Sequence, residues 1–170
     1  MMVRLAPPEH DVATLVRKYA TRGANDDCSP FNSGNLLAWS CHTRGPITSQ
    51  TRMGVALEVL RALPEPYRSH VQPTVTESLD ALEGSTTLVG AEELRTRLVG
   101  HMALNLGGVC AVARDKDEAT TDVARLMAWL GRRPHCLVGR QWFKVGGCWS
   151  YAYLTLSTGR CVLGLFLQID

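Results

Sequence analysis

The chain has 170 residues, of which 45% are hydrophobic and 20% charged, with 18 basic side chains against 16 acidic ones. That composition supports one globular domain with a core and excludes extensive disorder, because unfolded chains combine low hydrophobicity with high net charge. A formal charge of +2, and no basic run interleaved with aromatics, argue against a nucleic-acid surface.

The first ten residues, MMVRLAPPEH, break at Pro7 and Pro8 before any apolar signal core, so residues 1–10 read as an N-terminal segment and the protein as intracellular. Val12, Leu15, Val16 and Tyr19 then recur at helical spacing, with Asp11 as a cap and Gly23 as a stop. From Ala24 to Ser49 the chain is rich in Asn, Asp, Ser, Gly and Pro, and NLLAWS (Asn35 to Ser40) reads as a brief helical turn within a loop. TRMGVALEVLRAL offers a second amphipathic helix through Met53, Leu57, Leu60 and Leu63, interrupted by Pro64 and Pro66. TVTESLDALEG offers a third, through Val75, Leu79 and Leu82, closing at Gly84.

The next run, EELRTRLVGHMALNLGGVCAVA, places apolar residues on every side of a helix from Leu94 to Val112, the pattern of a buried segment. Arg95, Arg97, His101 and Asn105 argue against a membrane span, which needs ~20 residues almost free of charge. This helix is expected at the centre of the domain. After the polar turn RDKDE, Val123, Leu126, Met127 and Leu130 mark an antiparallel partner helix that Gly131 ends. CVLGLFLQID, residues 161–170, is too short an apolar run to span a bilayer and reads as a final packed helix, favoured over a weak interfacial anchor giving peripheral membrane association.

Chemistry-bearing motifs are scarce. The cysteines, Cys28, Cys41, Cys110, Cys136, Cys148 and Cys161, form no Cys-x-x-Cys pair and read as reduced, packed thiols rather than disulfides or zinc ligands. There is no phosphate loop, no nucleophile elbow and no His-Glu-x-x-His, and the five histidines fall in separate segments. Adjacency of His135 and Cys136 does not by itself set up a base and a nucleophile. The reading is of a protein that is not an enzyme and that uses no cofactor or metal.

DVARLMAWL (Asp122 to Leu130), followed by QWFKVGGCW (Gln141 to Trp149), resembles the sixth helix and second homology motif of the B-cell lymphoma 2 (Bcl-2) family of apoptosis regulators, most closely its herpesvirus homologues. The Trp-to-Trp spacing of that motif is kept, with the glycine pair one place earlier, at Gly146 and Gly147. HDVATLVRKYATRG, VALEVLRALPEPYRSHV and LVGHMALNLGGVC resemble, in pattern, the family's first helix, its second helix with the BH3 motif, and its first homology motif. The resemblance implies an all-α, Bcl-2-like helical bundle over residues 11–160, with a buried central hydrophobic helix wrapped by amphipathic ones.

It also implies a function: a monomeric viral pro-survival protein, in the host cytoplasm or at the mitochondrial outer membrane, that sequesters BH3 helices of Bak, Bax and Bim in a hydrophobic groove. The groove residues it implies are Leu57, Leu60, Leu63 and Tyr67 on one wall and Leu94, Arg97, Val99, Gly100, His101 and Ala103 on the other. Trp142, Gly146, Gly147 and Trp149 carry the structural motif. The family's groove arginine is missing: Gly100-His101 stands for the Gly-Arg pair, an ungapped count puts Val99 at that place, and Arg97 lies one turn earlier. A membrane-active pore built on the hairpin from Leu94 to Leu130, or a scaffold that has lost groove binding, are the alternative readings.

Overall fold

The computed structural model describes residues 3–20, 35–144 and 149–168, apart from the side chains of Val109, Trp149, Leu167 and Gln168. Six strands form one antiparallel sheet: β1 (Arg4–Ala6), β2 (Asn35–His42), β3 (Thr86–Val89), β4 (His135–Arg140), β5 (Trp149–Ser157) and β6 (Arg160–Gln168), in the order β1-β2-β6-β5-β4-β3. Helices α1 (His10–Tyr19), α6 (Ala91–Gly107) and α7 (Ala113–Leu130) supply buried residues to the core on one face of this sheet. On the other face lie α2 (Arg52–Arg61) and the short helices α3 (Tyr67–His70), α4 (Pro73–Glu77) and α5 (Leu79–Gly84). The fold is therefore mixed α/β, and the all-α bundle implied by the resemblance is corrected.

The correction starts at the C-terminus. The segment expected to end the chain as a packed helix is β6, a central strand paired with β2 on one side and β5 on the other. Cys161, Leu163 and Leu165 point into the core under α2, while Val162 and Phe166 point into the core under α6 and α7. A strand apolar on both faces must be covered on both, which an appended segment at residues 161–170 could not achieve. Burial of each such side chain is worth roughly 1.5–3 kcal/mol, so a solvent-exposed β6 has no stable alternative.

NLLAWS follows the same rule. Leu36 and Ala38 face one core while Leu37, Trp39 and Cys41 face the other, so the stretch is β2 and not a helical turn. Alternation with period two cannot be hidden on a helix. Four of the expected helices stand close to their predicted positions, α1, α2, α6 and α7. The expected third helix divides at Ser78, whose Oγ accepts the Ala81 N–H at 3.1 Å and starts α5. The polar turn RDKDE is instead the first turns of α7, where Asp115 Oδ2 accepts the Val112 N–H at 2.9 Å.

α6 is the expected central helix, but it lies on the sheet and is not enclosed. Leu94, Leu98, Val99, Met102 and Ala103 are buried, whereas Leu104 is 52% exposed. Its all-round apolar character had suggested a bundle centre. The centre of this molecule is the sheet.

Trp142, fully buried beyond the end of β4, donates from Nε1 to Ser85 Oγ at 3.1 Å and packs over Gly139. A Cβ at Gly139 would lie 1.9 Å from the Trp142 ring. Its indole is sealed in the core and cannot swing aside. Gly139→Ala is expected to destabilise the fold by at least ~2 kcal/mol, read by urea unfolding.

One buried carboxylate joins α1 to α7. Asp122, 4% exposed, accepts from the Tyr19 hydroxyl at 2.7 Å and from Lys18 Nζ at 2.5 Å, and Arg125 Nη1 stands 3.8 Å away. Lys18 Nζ also meets Glu118 Oε1 at 2.5 Å. Burial lowers the affinity of the Lys18 ammonium for its proton, but hydrogen bonds and charge from Asp122 and Glu118 outweigh it and hold the group above its ordinary value. Asp122→Ala strands the Tyr19 hydroxyl and the lysine. Equilibrium unfolding in urea should show a loss of ~3 kcal/mol or more, against roughly 1 kcal/mol for Tyr19→Phe.

Candidate functional site

The residues expected to line one groove do not share one. Leu57, Leu60 and Leu63 are buried in the core under α2, and Tyr67 packs there edge-on to Trp39 with ring centroids 6.4 Å apart. Leu94, Val99 and Ala103 are buried in the core under α6. The sheet stands between the two sets. Gly100 is exposed on α6 with open space around it, so no groove floor presses on it. Trp142 is core, Trp149 begins β5, and Gly146 and Gly147 lie outside the described residues.

The remaining pair, Arg97 and His101, does come together with the sheet. Arg97 Nη2 holds Glu93 Oε1 at 2.7 Å, one helical turn back. His101 stacks on Phe166 with ring centroids 4.0 Å apart and an interplanar angle of 24°, and its Nε2 lies 3.5 Å from the Tyr153 hydroxyl. Tyr153 meets Phe166 edge-on at 5.0 Å. Burial, and secondly the Arg97 charge, hold the His101 imidazole below its ordinary pKa of 6.5. The cluster is an aromatic seat for α6, whose imidazole is neutral at physiological pH.

His135 and Cys136 alternate to opposite faces of β4, as neighbours on a strand must. His135 Nε2 lies 3.2 Å from the Ile47 carbonyl, while Cys136 is buried and its thiol is pushed up to about 11 by desolvation. Burial disfavours the thiolate, the nucleophilic form of this side chain, and the strand sets the neighbouring imidazole on the other face. Among the described residues no group of three His, Cys, Asp or Glu side chains is placed to hold a metal ion, and no helix is long and apolar enough to cross a membrane.

A cleft of about 650 Å³ opens on the outer side of the helix pair, between the first turns of α6 and the last turns of α7. Ala91, Ala124, Met127 and Ala128 form its apolar lining, and Arg95, Arg132 and Arg133 stand around it. Ala124 and Ala128, one turn apart on α7, are small enough to leave this space. The turn after α7 then brings two of the arginines to it. Gly131 with φ of 84° and Arg133 with φ of 62° reverse the chain towards β4, with Pro134 closing the turn.

The charges there are only partly answered. Arg95 Nη1 is held by Glu92 Oε1 at 2.6 Å, and its Nε is buried without an acceptor. Arg132 and Arg133 have no ion pair among the described residues. Three guanidiniums beside one carboxylate and an apolar lining can receive an anion carried on an apolar body, since guanidinium forks bind carboxylate and phosphate oxygens in pairs. The dipeptide Arg132-Arg133 after a helix-stopping glycine was the available signal. A net charge of +2 over the whole chain conceals such local clustering.

No family model matches this chain, and no curated protein and no solved structure matches it.

His101 makes stability depend on pH with a definite sign. Its folded pKa lies below 6.5, so under acid the unfolded chain takes up the proton more readily than the folded one. The stability contribution is complete above pH 6.5 and declines as the pH falls through that value. In a comparison of urea midpoints between pH 8 and 5, His101→Gln should lose less stability over this range than the parent chain.

Proposed function

We propose that the protein acts by binding, without covalent chemistry, and that its ligand carries a phosphate or carboxylate on an apolar body received between α6 and α7. One observation carries this reading: Arg95, Arg132 and Arg133 line an alanine-rich cleft where, among the described residues, Glu92 is the one carboxylate paired with any of them. Largely apolar pockets with a few placed polar groups are how small-molecule sites divide affinity from orientation. The reactive side chains elsewhere support the same reading, since Cys136 is sealed and His101 is stacked.

A BH3 helix asks for different architecture, one continuous apolar groove along which anchors at helical spacing can lie. The wall residues implied for it fall on opposite faces of the sheet here. The cleft between α6 and α7 has instead three cations around a space suited to a compact ligand.

Isothermal titration with phenyl phosphate, inorganic phosphate and phenol tests the proposal. Phenyl phosphate should bind more tightly than either fragment, and the affinity should fall as salt rises. Arg132→Glu with Arg133→Glu should weaken it at least tenfold, about 1.4 kcal/mol, while leaving the unfolding midpoint nearly unchanged because both residues are exposed. Equal binding by the double variant, or none by the parent chain, removes the cleft from consideration.

A further inference from the structure

Two cysteines lie on neighbouring strands in the half of the core that the cleft does not use. Cys41 lies near the end of β2 and Cys161 near the start of β6. Trp39 stands directly opposite Cys161, so Cys41, two residues further along β2, projects from the same face. Both thiols are fully buried in the core under α2, on one face of two directly paired strands. The remaining described cysteines do not compete: Cys136 faces the opposite core, and Cys110 is exposed beyond α6.

We propose that Cys41 and Cys161 are a disulfide-forming pair, closed by a small-molecule disulfide such as oxidised glutathione while the chain folds. One cysteine thiolate attacks a glutathione sulfur, giving a mixed disulfide and releasing one glutathione thiolate. The second cysteine then attacks the protein sulfur of that mixed disulfide and releases the second glutathione. The two cysteines lose two electrons and two protons, and the glutathione disulfide gains both to leave as two thiols. Because the folded core covers both sulfurs, exchange belongs to folding, before the sheet closes over them. The product ties β2, and with it the edge strand β1, to the centre of the sheet.

The stabilising logic is that of a long loop. The link joins positions 120 apart in the chain, 41 and 161, and chain-entropy arguments make such a closure among the more effective ones. Both side chains project from one face of adjacent paired strands, offset by two residues, which makes them neighbours in the covered core.

The experiment refolds the full chain from guanidinium in a mixture of reduced and oxidised glutathione, alkylates remaining thiols, and maps the products by non-reducing digestion and mass spectrometry. The expected product joins the Cys41 and Cys161 peptides, and its Tm stands on the order of 10 °C above that of the reduced protein. Cys41→Ala should show no difference between the two conditions. Recovery of both residues in alkylated form, or links spread without preference over other cysteines, overturns the proposal. If refolding yields too little soluble protein, the chain is incubated in the same mixture at a guanidinium concentration within its unfolding transition, where the thiols are transiently exposed, and the products are read in the same way.

Discussion

Everything in this fold follows from the need to cover β6 on both sides. Its two apolar rows cannot be satisfied by a single helical layer, so helices pack on each face and the chain becomes a three-layer structure. That requirement separates α2 from α6. Two segments that would meet across a groove in a helical bundle are held apart here by the central sheet.

The layer on the α6 side is built more electrostatically than the other. α7 divides its labour by face: Val123, Leu126, Met127 and Leu130 enter the core, Asp122 reaches Tyr19 and Lys18 of α1, and Ala124 and Ala128 leave the open cleft. A buried carboxylate with so many donors is costly to desolvate, and its geometry therefore decides where α1 sits. The layer on the α2 side relies on apolar packing, with Trp142 hydrogen-bonded to Ser85 and the two cysteines buried in the same cluster. Each face thus has its own means of specifying register, charge on one and close shape on the other.

The resemblance to Bcl-2 regulators teaches something specific. DVARLMAWL does form a helix, and its apolar stripe is buried as the spacing requires. Any amphipathic helix that docks on an apolar surface satisfies that pattern, whether the surface is another helix or a sheet. The Trp142 to Trp149 spacing was equally permissive, because it is realised between a buried residue past β4 and the first residue of β5. Helical periodicity identified the element and left its partner open.

The sequence by itself determined α1, α2 and α7, the burial of Trp142, the packed character of Cys41, Cys136 and Cys161, and the reversal at Gly131. These depend on contacts within a few residues or on simple hydrophobicity, so local pattern suffices. Only the tertiary structure decided that NLLAWS and CVLGLFLQID are strands, since a short apolar run suits a buried strand and a buried helix alike until a pairing partner exists. It also decided the site. Arg95 reaches the cleft from α6 and Arg132 and Arg133 from the turn beyond α7, and residues so far apart along the chain become one charge cluster only when the helices are packed. Cys41 and Cys161 meet for the same reason, through strand pairing that no local pattern of residues encodes.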